Sequence, residues 1–117
     1  REPVGVNVTV LRDRHQRDAH GWTQAGLLDD GEAAAIALGQ QTRADWLLTD
    51  DAAGRLFAQA LGLEVHGSLG VLLWAAGKNF ITPVEARACL DGLANSTLWV
   101  SPRILKDART AFEELIP

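Results

Sequence analysis

Residues 4–10, Val-Gly-Val-Asn-Val-Thr-Val, alternate strictly, which is the period of a half-buried strand. Residues 11–26 break that period and turn polar, so a short irregular or helical connection is expected there. From Asp29 the period becomes helical. Ala33, Ile36, Ala37 and Gln40 recur at helical intervals, and Asp29 with Glu32 has capping-box spacing. This helix should end near Gln41. Trp46-Leu47-Leu48 is long enough only for a short buried strand. A second helix follows with Leu56, Phe57, Ala60 and Leu61 on one stripe and Gly62 as its stop.

Leu63-Glu64-Val65 predicts another short strand. Ser68 is placed to cap a third helix, with Leu69, Leu72, Leu73 and Ala76 inward and Gly77 closing it. Thr82-Pro83-Val84-Glu85 is a second capping box, with proline at the first helical position. Leu98-Trp99-Val100 predicts a last strand. Ser101-Pro102 then opens a final helix, with Leu105, Ala108, Phe112 and Leu115 on one face and Arg103, Lys106 and Arg109 on another. Short strands separated by helices argue for an α/β domain with a largely parallel sheet and helices on both faces. Ligands of such sheets sit at the carboxyl ends of the strands, where Asp50 and Asp51 lie.

The chain has 117 residues, 47% of them apolar and 22% charged. That suits one globular domain spanning 1–117. Its single cysteine, Cys89, excludes an intrachain disulfide and is expected to be a small buried hydrophobe. No apolar run reaches the length of a membrane span and no secretory signal opens the chain, so a cytoplasmic location is expected. The net charge of −4 means that a polyanion would need a local basic patch or a metal ion.

The acids are clustered. Asp29, Asp30, Glu32, Asp45, Asp50 and Asp51 face a single base, Arg43, within 29–51. Like charges held together cost free energy unless a cation neutralises them. Carboxylates without neighbouring His or Cys suit Mg²⁺ or Mn²⁺ better than Zn²⁺. Such an ion could activate water and stabilise charge on a phosphodiester. Helix capping is the commoner use of acids so placed, and the two roles are compatible. His15, His20 and His66 lack ligand spacing and read as surface or satisfied core histidines. Trp22, Trp46, Trp74 and Trp99 read mostly as core, with Trp22 the one that could be exposed. Arg12, Arg14 and Arg17 form one basic group and Arg103, Lys106 and Arg109 another; solvated faces are their commoner meaning, a nucleic-acid footprint the sharper one. Gly67-Ser68-Leu69-Gly70 at a helix start could hold a phosphate, which adds Ser68 to the candidate nucleic-acid contacts.

Three blocks in order then resemble the PIN-domain family. Leu28-Asp29-Asp30-Gly31-Glu32-Ala33-Ala34-Ala35-Ile36-Ala37-Leu38 resembles its Leu-Asp-x-Gly-Glu-Ala-x-Ala-Ile-x-Leu signature. Trp46-Leu47-Leu48-Thr49-Asp50-Asp51 resembles its next acidic strand end, and Leu61 to Leu72, with Gly67-Ser68-Leu69-Gly70, a further block. The resemblance covers 27–81 well and the flanks loosely. It implies a three-layer α/β/α domain and Mg- or Mn-dependent cleavage of RNA, akin to the toxin nucleases of toxin–antitoxin pairs. By similarity Glu32 is a helix-borne metal ligand and Asp51 a strand-end ligand, with Asp50 its partner or substitute. Ser68 stands where the family has a threonine near the site. The family's opening strand, with its central Asp ligand, has no counterpart before Leu28: Asp13 and Asp18 lie in polar sequence. The chain also begins at Arg1 and contains no Met. The expectation is therefore the carboxyl portion of a longer protein, lacking the usual first strand, impaired in catalysis by itself, and self-associating as a homodimer. The other reading is a catalytically inactive module that binds nucleic acid or protein.

Overall fold

The computed structural model describes residues 5–96 and 101–115, the side chains of 112 and 115 apart. Among these residues it is a small, mostly helical α/β structure. The elements are α1 (Asp13–Gln24), α2 (Asp30–Thr42), β1 (Leu47–Leu48), α3 (Ala52–Ala60), β2 (Val65–His66), α4 (Ser68–Gly77), α5 (Pro83–Ala94) and α6 (Pro102–Leu115). β1 and β2 are parallel neighbours in a two-stranded sheet, and the Leu47 N–H donates to the Glu64 carbonyl at 2.8 Å. The chain forms two compact units, Arg1–Val65 and His66–Pro117.

The first unit is built around α2. Ala33, Ile36 and Ala37 are buried on one face of that helix, as their spacing predicts, and pack with Ala19, Leu28, Leu47, Ala58 and Val65. Asp29 caps α2 through its side chain, and Arg43 ends it in the left-handed conformation at φ 51°. The polar stretch after residue 11 is a full helix, α1. Its inner edge runs Leu11, His15, Ala19, Trp22, a stripe of one alanine and three partly buried side chains. Polar neighbours hide that stripe from a hydropathy reading. Trp22 closes it by packing edge-on against Phe57, with ring centroids 4.9 Å apart.

Two expectations in this unit are corrected. Residues 5–10 are not a strand: no ladder forms, and Val6, Val8 and Val10 are exposed. Alternation makes a strand only where another strand completes its hydrogen bonds. Here the segment is tied down only near its end, where the Gln41 side chain donates to the Val10 carbonyl and accepts from the Arg12 N–H. The inward face of α3 is Gly54, Phe57 and Ala58; Leu56 is 71% exposed. Hydropathy points to the wrong face because the two buried positions are glycine and alanine, which contribute little to it.

The second unit packs α4, α5 and α6 around Leu72, Ala76, Ala86, Leu90 and Ala108, with Leu69, Leu73, Ile81, Leu93 and Leu105 lining the edge. The inward positions predicted for α4 are borne out. The N-cap of α4 is Gly67, not Ser68, which is the first helical residue; no side chain caps this helix. Trp74 is 42% exposed, stacked at a tilt on Phe80, and Cys89 is exposed on α5 rather than buried. The strand expected at 98–100, Trp99 included, lies outside the described residues. Ser101 opens α6, its hydroxyl accepting from the Ile104 N–H.

The Thr82 capping box is complete. The Thr82 hydroxyl accepts from the Glu85 N–H at 3.1 Å, and the Glu85 carboxylate accepts from the Thr82 N–H at 2.8 Å. Those bonds hold the Glu85 carboxyl below its ordinary value of 4.5, against a small opposing effect of burial. A depressed folded-state pKa gives stability that is present above the unfolded value and lost as pH falls through the folded one. Glu85→Gln keeps the bond geometry but removes the titration. The wild type should therefore be the more stable above pH 4.5, with the difference shrinking below it, as thermal melts from pH 7 to 3 would read. A difference that does not change with pH would refute this account.

Candidate functional site

The candidate acids sit where two helices begin. Glu32 is the third residue of α2 and Asp51 is the N-cap of α3. Only half of the first capping box forms. Asp29 Oδ1 accepts from the Glu32 N–H at 2.9 Å, but the Glu32 carboxylate does not fold back onto Asp29. It reaches instead to the chain after β1, where the Thr49 hydroxyl donates to Glu32 Oε1 at 2.8 Å. Thr49 is a relay, since its oxygen also accepts from the Asp51 N–H at 3.1 Å. Asp51 Oδ2 in turn accepts from the Gly54 N–H at 2.7 Å, which caps α3.

The second Glu32 oxygen, Oε2, is buried and has no hydrogen-bond partner. Leaving a buried polar group without a partner costs its desolvation, about 1–3 kcal/mol and more for a charged group. The space that holds it exists because residue 54 is glycine. A Cβ there would stand 2.5 Å from Glu32 Oε2 and 3.3 Å from Asp51 Oδ2. Both carboxylates therefore border the same small volume, at the positive ends of two helices, where negative charge is favoured.

An orphaned carboxylate oxygen next to a second carboxylate, with no imidazole or thiolate beside them, suits a hard divalent cation. Mg²⁺ is commonly held by one or two carboxylates, its other ligands being waters and substrate phosphates. Among the described residues no group of three or more His, Cys, Asp or Glu is placed to hold a metal ion. The residues thus fit an open site of two acids and do not form an all-protein cage. Asp50 is exposed beside Asp51.

A family model for the PIN domain matches residues 6–114. The chain belongs to the PIN-domain family. Its fold is accordingly that of a nucleic-acid-binding, nuclease-like family. No curated protein and no solved structure matches the chain. No helix among the described residues of this PIN domain is long and apolar enough to cross a membrane.

The remaining candidate residues lie in the second unit. Ser68 is partly buried in the first turn of α4. Arg103, Lys106 and Arg109 are exposed along α6. Arg109 is paired with Asp91 at 3.1 Å, an exposed bridge of the kind worth little in stability. Two residues that shape the acidic site of this PIN domain, Thr49 and Gly54, are not among the candidates that the sequence offers. Thr49 is visible there only as one residue of the block from Trp46 to Asp51. Gly54 does carry a signal: a glycine in the first turn of a helix is a poor helix former and asks for a spatial reason.

Proposed function

We propose that this PIN domain is a metal-dependent ribonuclease that hydrolyses RNA phosphodiesters with Mg²⁺ or Mn²⁺. The observation that carries the reading is the buried, unpartnered Oε2 of Glu32 facing Asp51 across the space left by Gly54. Glu32 and Asp51 would hold the ion, with Asp50 as a further acid at the rim. When bound, the ion would supply an activated water and charge stabilisation at the scissile phosphate. The chain's own contribution is positional. Thr49 fixes the Glu32 carboxylate by donating to Oε1, and the α3 cap fixes Asp51. Arg103, Lys106, Arg109 and Ser68 are proposed contacts for the RNA. The same reading includes a toxin with an antitoxin partner, which the sequence resemblance motivates, together with a cytoplasmic location and a homodimer.

A second reading is favoured by one observation, the lack of a third acidic or imidazole ligand among the described residues. In it the domain binds nucleic acid or protein without cleaving. Thermal melts and RNA cleavage with and without Mn²⁺ separate the two. Glu32→Gln keeps an acceptor for Thr49, and Asp51→Asn keeps a good N-cap, so both variants should fold. Mn²⁺ at a hundred times its Kd should stabilise the wild type by about 2.7 kcal/mol, several degrees of melting temperature. Neither variant should show that shift or the cleavage. A wild type that neither responds to Mn²⁺ nor cleaves RNA moves the second reading ahead.

A further inference from the structure

At the other end of α2, away from the acids, the first unit carries a polar cleft of about 390 Å³. Its lining includes Arg12, Arg14 and Arg43, set against one acid, Asp18. The three guanidinium groups have no carboxylate partner among the described residues. In a protein of net charge −4, three unneutralised arginines converging on one cleft call for an anionic occupant. One further feature points the same way. The cleft lies at the start of α1, whose N-cap Arg12 makes no side-chain capping bond, so the N–H groups of the first helical turn are available there.

The chemistry that satisfies planar guanidinium forks and helix-start N–H groups together is a phosphate. Along α2 the cleft lies roughly 13 Å from Glu32 at 1.5 Å per residue. We propose that the cleft formed by Arg12, Arg14 and Arg43 is a phosphate subsite that grips the backbone of a single-stranded RNA away from the acidic site. The choice of RNA rests on the nuclease reading above; the phosphate chemistry rests on the cleft alone. The subsite would set the register of the strand, since it fixes one phosphate at a set distance from the acids.

The test measures binding of a labelled single-stranded RNA in EDTA, where no metal contributes, over a range of salt. Arg43 is left-handed, so Arg43→Asn removes the charge while keeping a residue that tolerates that conformation. Arg14→Gln removes a second charge on an exposed helical position. Arg87→Gln, on α5, is the control for charge loss alone. Unchanged circular dichroism verifies folding of each variant. Each cleft substitution should weaken binding and reduce the slope of log K against log salt by about 0.7 for each phosphate that the protein no longer neutralises, whereas Arg87→Gln should not. Inorganic phosphate, tested against chloride at equal ionic strength, distinguishes a site for free phosphate from one for a strand. The proposal is overturned if RNA affinity and slope are the same in the cleft variants as in the control, or if only inorganic phosphate responds to them. The two readings fail separately. RNA binding that depends on the cleft without any cleavage in Mn²⁺ removes the nuclease reading alone. Cleavage that ignores Arg14 and Arg43 removes the subsite alone.

Discussion

Under the nuclease reading, replacing Gly54 with alanine should cripple cleavage at the acidic site while leaving the fold standing. The new methyl group would meet Glu32 Oε2 at 2.5 Å, closer than a Cβ tolerates, and Glu32 Cδ at a tight 3.1 Å. The atoms it meets are the far end of a flexible side chain, so the relief is inexpensive: the carboxylate swings out. In doing so it gives up the Thr49 hydroxyl and its place opposite Asp51. Alanine is also the better helix former, by roughly 0.5–1 kcal/mol. The melting temperature should therefore hold steady or rise slightly. Under the nuclease reading, Mn²⁺-dependent cleavage should fall on the order of a hundredfold, since displacing a positioned group by about 1 Å costs that much. An alanine variant that cleaves normally would show that the position of the Glu32 carboxylate does not matter to activity.

The largest effect on stability is expected from Ile36→Ala. Ile36 is fully buried at the centre of the first unit. Its neighbours Ala33, Ala37 and Ala58 are too short to refill the space it leaves. Truncating a buried isoleucine costs about 2–5 kcal/mol, and the cost grows with the cavity that survives. The upper half of that range is expected here, read as a shift of the urea midpoint with an unchanged slope. Leu56→Ala is the companion. It deletes as many carbons from an exposed position and should destabilise the domain by no more than about 0.5 kcal/mol. If the two substitutions cost the same, Leu56 belongs to the inward face of α3 after all.

That pair also shows how far the sequence can be read. Helix starts are legible where a capping side chain has its usual spacing, as at Asp29, Thr82 and Ser101, because a cap is a local bond. Inward faces are legible where large apolar residues carry them, as on α4. They are not legible on α1 or α3, where the fully buried positions are alanine and glycine. The valines of 4–10 show a different limit. Their alternation reports what the segment could pair with, and pairing depends on residues elsewhere. The acids of the candidate site stand out by their clustering and by family resemblance. Their geometry does not, because the positions of Glu32, Thr49 and Gly54 are related only through the fold. The cleft arginines are visible only in part: Arg12 and Arg14 form a basic group in the sequence, but Arg43 joins them only in three dimensions.

The two capping tetrads of this chain begin from the same grammar and end with different meanings. In Thr82-Pro83-Val84-Glu85 the glutamate closes on its own helix, and the message is complete within four residues. In Asp29-Asp30-Gly31-Glu32 the glutamate leaves its helix for Thr49, and what it does depends on a glycine in another helix. The first tetrad could be transplanted into any helix and keep its sense. The second is a sentence whose verb stands elsewhere in the text, so a search for the word alone will find it in proteins where it says nothing.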